Sequence, residues 1–259
     1  MSTLKKARIE HLGQTGLRID IGDLTVLVDP YLSNSVQELE APDLVRQVPI
    51  PYQPEELTSV DWVLITHDHM DHCDPHTLPA LAQASPQARF VGPLAVRRQL
   101  EQWGIAQERI LPSPVAELDL GEELTVQAMP AAHPKIRLDQ NGQLLAVGYL
   151  FRRNGKKLYL AGDTAVCDEL LAALKLAAPI DTALLPVNED NFFRRRMGIV
   201  GNMSIREAFG LAAEVGIEQV VPVHWDMFVV NSTSPKEIEA VYESTSWQFE
   251  LIDGSMILL

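Results

Sequence analysis

Short apolar runs broken by turn residues dominate the chain, and most are too short for helices. Arg8–Leu12 and Leu17–Ile21 read as strands joined by a turn at Gly13–Gly16, and Leu24–Val28 as a third strand ending at Asp29-Pro30. Trp62–Ile65 is apolar at successive positions, the mark of a strand buried on both faces. Asp74-Pro75 then resembles a helix cap with proline at the first helical position. Phe90-Val91 is a short strand, and Pro93–Trp103 a helix closed by Gly104. Strands are expected at Arg109–Leu111, Val115–Leu118 and Leu124–Met129. Leu145–Arg152 and Lys157–Ala161 form a hairpin across Asn154-Gly155.

The second half repeats this rhythm. Cys167–Leu176 is expected to be a helix, Thr182–Leu185 a strand, and Ser204–Val215 a helix with Ser204 as cap, Glu207 three residues on and Gly216 behind it. Gln219–Val223 is a strand, Pro235–Glu243 a helix, and Gln248–Leu251 and Met256–Leu259 are closing strands. Two long stretches, 31–58 and 186–203, read as functional surface loops. No linker divides the pattern, so the expectation is one α/β domain over residues 1–259: two sheets packed together with helices outside.

The sharpest polar feature follows the Trp62–Ile65 strand, in T-H-D-H-M-D-H-C-D-P-H. Of seven histidines in the chain, four (His67, His69, His72 and His76) fall there. Crowded imidazoles and carboxylates in a partly buried place need partners, and a divalent ion satisfies several at once. In an extended chain His67, His69 and Asp71 share one side while His72 turns away. His76 is expected inside the following helix and Cys73 as a small buried residue. Other strand ends carry Asp29, His133, Asp163 and His224. Each taken alone is weak, since a lone His at a strand end is more often a structural hydrogen-bonding residue than a ligand.

Charge narrows the partners. A formal net charge of −14 argues against nucleic acid and against an anionic membrane surface. Two cysteines are no disulfide framework, the start M-S-T-L-K-K-A-R-I-E lacks a signal-peptide core, and no stretch has the length of a membrane span, so a cytoplasmic location is expected. Neither a nucleotide-binding glycine loop nor a G-x-S-x-G elbow is present.

The order H-x-H-x-D-H, single His, G-D-T, final His resembles the metallo-β-lactamase-fold hydrolases along nearly the whole chain. The resemblance implies a four-layer αββα sandwich of two mixed sheets, with a site along one edge. It implies that His67, His69 and His133 hold one divalent ion, that Asp71, His72 and His224 hold a second, and that Asp163 bridges them. Activated water would then attack the substrate, served by the carboxylates Asp71 and Asp163, with Asp68 orienting a ligand. Asp29 and Asp226 are further candidates for that orienting role or for ordinary turns. G-Q-T-G-L-R, F-V-G-P, A-G-D-T and V-V-P-V-H-W-D-M-F look similar to the L-ascorbate-6-phosphate lactonase branch, which implies a small sugar-acid lactone and manganese. The donor chemistry suits zinc, manganese or iron. Asn188, Arg194, Arg195 and Arg196 are expected to contact a small, anionic substrate, with a subunit contact in a homo-oligomer as the alternative for the arginine run. Rival readings are a phosphodiesterase on the same fold and a non-catalytic metal-binding protein.

Overall fold

A computed structural model describes residues 5–253 together with Ile257 and Leu259. The first half runs β1 (Ala7–Gly13), β2 (Gly16–Ile21), β3 (Leu24–Val28), β4 (Trp62–Leu64), α1 (Thr77–Ala84), β5 (Arg89–Gly92), α2 (Leu94–Gln102) and β6 (Ile110–Pro112). These six strands form one sheet in sequence order, antiparallel from β1 to β3 and parallel from β3 to β6. The second half runs β7 (Leu118–Gly121), β8 (Leu124–Pro130), β9 (Val147–Arg153), β10 (Lys156–Leu160), α3 (Asp168–Ala177), β11 (Ile180–Pro186), α4 (Phe192–Arg196), α5 (Ile205–Val215), β12 (Ile217–Val223), α6 (Pro235–Glu243) and β13 (Glu250–Leu251). Here β7 to β10 are antiparallel and β10 to β13 parallel, the same progression as in the first sheet.

Strand alternation sorts the apolar residues into layers. Val26, Val28 and Leu64 face Val126, Leu158 and Leu160 in the core between the sheets. Their neighbours Leu27, Val63 and Ile65 face outward onto α1 and α2. On the second sheet Tyr159 and Ala161 turn out onto α3 and α5. Both faces of each sheet are thus covered, giving the four-layer αββα arrangement. Three hydrogen bonds stitch the sheets across the core. Tyr149 Oη donates to the Ile65 carbonyl at 2.9 Å, Trp62 Nε1 to the Leu120 carbonyl at 3.0 Å, and the Val147 amide to the Thr66 carbonyl at 3.0 Å.

Local chemistry explains the boundaries. Ser204 and Glu207 close a reciprocal capping box at the start of α5, and Gly216 ends it in the left-handed region. Asn154 and Gly155 both have positive φ, as the two-residue β9–β10 turn requires. Three expectations are corrected. The strand expected from Val115 begins at Leu118, because Val115 is 79% exposed and has no core to face. The 186–203 loop contains a short helix, α4, whose start is capped by Asn191 Oδ1 accepting from the Phe193 and Arg194 amides. α1 begins at Thr77, so His76 is its cap position and not an interior residue; Asp74 still receives the His76 amide at 2.9 Å. Of the expected strand at Met256–Leu259, Met256 and Leu258 fall outside the described residues, while Ile257 is buried in the core between the sheets. Cys73 is buried in the outer core beside α1, where burial pushes its thiol pKa well up, and neither it nor Cys167 is disulfide-bonded. No helix among the described residues is long and apolar enough to cross a membrane.

Candidate metal centre

The ends of the central strands converge at one edge of the sandwich. After β4 the chain delivers His67, His69, Asp71 and His72; after β8, His133; after β10, Asp163; after β12, His224. His67, His69, His133 and Asp163 each place one donor atom within 4.8 Å of the others, and Asp71, His72 and His224 form a second such group. His67 sits at the hub, its ring centroid 4.6 Å from that of His69, 4.2 Å from His72 and 4.9 Å from His133. Asp163 faces both groups. Its Oδ1 is 3.2 Å from His224 Nε2 and 3.4 Å from His72 Nε2, and its Oδ2 is 3.6 Å from His133 Nε2.

The polar shell aims these side chains. Asp29, fully buried just past β3, accepts the Thr66 amide at 2.8 Å on Oδ1. Its Oδ2 accepts the Thr66 hydroxyl at 2.6 Å, the Thr15 hydroxyl at 3.0 Å and His72 Nδ1 at 2.8 Å. A proton held on His72 Nδ1 leaves the Nε2 lone pair turned to the site. The tight turn at Gly13–Gly16 contributes equally. Gln14 Nε2 donates to Asp71 Oδ2, and the Gln14 carbonyl accepts the His224 amide at 3.0 Å. Gln14 and His224 both sit at positive φ, so this turn fixes two members of the second group together. Nothing in the composition of G-Q-T-G singles out Gln14; its reach to Asp71 appears only once β1 and β4 are in one sheet.

Burial pushes the His67 pKa well below the usual imidazole range and that of His133 to about 4. Burial also acts to lower His72 and His224, but Asp163, with Asp71 beside it, outweighs this and raises both. For Asp163 burial acts upward, and the facing His224 and His72 overcome it to hold the carboxyl well below its usual range. Four inward atoms, His67 Nε2, His72 Nε2, His224 Nε2 and Asp163 Oδ1, are buried with no hydrogen-bond partner. Each such orphan costs about 1–3 kcal/mol. Imidazole nitrogens and a carboxylate oxygen pointing at a common space are the donor set of a divalent transition-metal ion, so the residues fit a pair of ions.

A family profile described as the beta-lactamase superfamily domain matches residues 25–225, which spans the donors from His67 to His224. The chain belongs to the beta-lactamase superfamily. Relatives agree. A protein of Mycobacterium tuberculosis described as uncharacterized is 29% identical over 220 residues, covering 85% of this chain and 59% of that one. The chain therefore spans about three-fifths of the length of that relative. A Pyrobaculum aerophilum protein described as a UPF0173 metal-dependent hydrolase is 25% identical over 240 residues, with 92% and 93% of the two chains covered. A solved structure from Veillonella parvula, described as a possible metal-dependent hydrolase, superposes with a TM-score of 0.73 at 18% identity over 98% of this chain and all of the other. That likeness is one of fold.

In this superfamily member the residues expected to bind substrate are placed elsewhere. Arg194 is buried and spends its guanidinium on the carbonyls of Glu189 at 2.8 Å, Ser232 at 2.7 Å and Val230 at 3.3 Å. Arg195 pairs with Asp190 at 2.6 Å, and Arg196 lies over the Phe192 ring, with none of the three lining the metal cleft. Asn188 is buried, donating to Asn231 Oδ1 and accepting from Asn202 Nδ2 at 2.9 Å. Arg194 and Asn188 pin the 186–203 segment against the stretch after β12, whereas the contacts of Arg195 and Arg196 stay within the segment. Asp68 is exposed, and its carboxylate makes no hydrogen bond among the described residues; Asp29 is the carboxylate that orients a donor. Asp226 buries one oxygen without a partner.

Two outcomes follow directly. Gln14→Leu removes the bond to Asp71 while keeping volume, so any metal affinity of the Asp71–His72–His224 group should fall by about 10–100-fold, with that of the His67–His69–His133–Asp163 group less affected. Metal stoichiometry by plasma mass spectrometry after dialysis checks this. Arg194→Ala removes the donor of three carbonyls in part-buried hydrogen bonds, so it should lower the urea midpoint, by about 1–3 kcal/mol of stability, with bound metal unchanged.

Above the donors lies a cleft of about 360 Å³ that includes His69, Asp71, Asp163 and His224 in its floor. Its walls come from both long loops and from the segment after β12: Val36, Glu40 and Leu44, then Ile199 and Val200, then Phe228 and Asn231.

Proposed function

We propose that this metal-dependent hydrolase of the beta-lactamase superfamily works through two divalent ions and cleaves a carboxylic-ester-type bond, linear or lactone, in a small molecule. The observation that carries the reading is the set of orphaned inward atoms, His67 Nε2, His72 Nε2, His224 Nε2 and Asp163 Oδ1. His67, His69 and His133 would hold one ion, and Asp71, His72 and His224 the other, with one oxygen of Asp163 turned toward each. When bound, the ions supply a Lewis acid for the substrate oxygen and lower the pKa of water from about 15.7 to near 7.

The chain's own residues do the rest. Asp163, gripped between imidazoles of both groups, sets their separation. Asp29 holds the His72 proton on Nδ1, and the Gln14 turn fixes Asp71 and His224. The rigid strand ends hold the donors in place before substrate arrives, so little reorganisation is left to the reaction. Zinc, manganese and iron all suit this mixture of imidazole and carboxylate. The anionic, phosphorylated sugar acid finds no support in the cleft, since no Lys or Arg lines it.

The test is metal analysis of protein purified without added ions, followed by a panel of lactones, p-nitrophenyl esters and bis-p-nitrophenyl phosphate with manganese and with zinc. Two ions per chain and fastest turnover on esters or lactones support the reading. Fastest turnover on the phosphodiester would replace it with a phosphodiesterase. Metal binding with no turnover on any class would leave a non-catalytic metal-binding protein.

A further inference from the structure

We propose that the group flanking the scissile bond is an uncharged acyl or alkyl chain, taken up between the apolar walls of the metal cleft and met at its mouth by an apolar rim. This rests on the hydrolase reading and adds to it a substrate class.

The walls are the first observation. Val36, Leu44, Ile199, Val200 and Phe228 surround the donors, and Glu40 is the one charged wall residue that is not a donor. A substrate with an anionic tail would meet Glu40 and no cation. A polyol would leave hydroxyls against hydrocarbon, which costs free energy for every unpaired group. Asn231 is the one neutral polar side chain in the walls, and its oxygen already accepts from Asn188.

The rim is the second observation, and it is independent of the first. Leu39, Phe192, Phe193, Met197, Val229 and Val230 are all exposed, Phe193 by 74%. Single exposed apolar residues need no explanation, but a set that lies next to the lining of one cleft along the chain does. Every one of these sits beside a wall in the chain. Leu39 precedes Glu40, Val229 and Val230 lie between Phe228 and Asn231, and α4 carries the phenylalanines one turn before Met197, which itself lines the cleft. The exposed Arg195 and Arg196 of α4 and Glu38 beside Leu39 interrupt this rim, so the apolar surface with no charged break other than Glu40 is that of the cleft walls themselves.

In the reaction the oxygen of water ends on the acyl carbon and the ester C–O bond breaks. The alcohol leaves with a proton, and the acid departs as carboxylate with its proton passing to solvent.

The experiment is a ladder of p-nitrophenyl acetate, butyrate, hexanoate and octanoate with metal-loaded protein. In parallel, calorimetry would follow binding of alkyl hydroxamates of the same lengths. Each methylene taken up by the walls should raise kcat/KM and affinity about fourfold until the chain outgrows the cleft. A chain of equal length ending in a carboxylate should react more slowly than its neutral counterpart, and Glu40→Lys should reverse that preference. Ile199→Asn should flatten the ladder. Flat or falling ladders in both turnover and binding overturn the proposal. So does a stable dimer in sedimentation that Phe193→Ser dissolves together with a flat ladder, since the rim then covers a second copy. A rising binding ladder with no ester turned over keeps this proposal and sinks the hydrolase reading instead.

Discussion

Asp163→Ala should empty the centre of at least one ion and lower turnover by a factor on the order of 10³, about 4 kcal/mol of transition-state stabilisation. No other donor faces both groups as it does, with Oδ1 3.2 Å from His224 Nε2 and Oδ2 3.6 Å from His133 Nε2. Its loss also removes the nearest counter-charge of His224 and the carboxylate that does most to raise the pKa values of His72 and His224 against burial. Asp163→Glu keeps the charge but moves it by a methylene, so it should retain part of the metal and little of the rate. Plasma mass spectrometry and steady-state kinetics on one preparation decide the matter. Full metal and full rate in the alanine variant would remove Asp163 from the centre.

The second large effect is expected at a residue that touches no ion. Asp29→Ala leaves the Thr66 amide, two threonine hydroxyls and His72 Nδ1 without their acceptor in a fully buried place. The cost should be about 3–5 kcal/mol, read as a drop in the urea midpoint. Asp29 also sits at a φ of 41°, which alanine tolerates poorly and asparagine better. Asp29→Asn therefore separates two roles. It should fold with a smaller loss of stability, yet its amide cannot accept the His72 proton as a carboxylate does. Metal affinity should fall about 10–100-fold. Equal affinity in wild type and Asp29→Asn would show that His72 needs no such partner.

How much of this was legible in the sequence depends on the range of the interaction. The capping box at Ser204 and the Asn154-Gly155 turn are encoded within a few residues, and their elements stand where the pattern puts them. Expectations from H-x-H-x-D-H and the strand-end His133, Asp163 and His224 rested on chemistry and order, and the structure gathers them at one edge. Arg194 was misread because its partners, the carbonyls of Val230 and Ser232, lie on a different segment that only the fold brings near. A run of three arginines looks like an anion site until one is seen to be spent on backbone. Asn188 failed for the same reason, and α4 was hidden because five residues are too few to show a helical period. Gln14 carried no local signal, since its work is done through the tertiary contact to Asp71.

Tyr149 gives the architecture a further meaning. Neither sheet owns a complete centre: His67 to His72 belong to one, and His133, Asp163 and His224 to the other. The phenol of Tyr149 reaches across the middle and grasps the carbonyl of Ile65, two residues before His67. Alignment of the two halves is thereby a condition of the donor geometry, and a slip of one slab past its neighbour would pull both donor groups apart in the same instant. The oily seam deep inside the molecule acts as the jig on which the reactive edge is assembled.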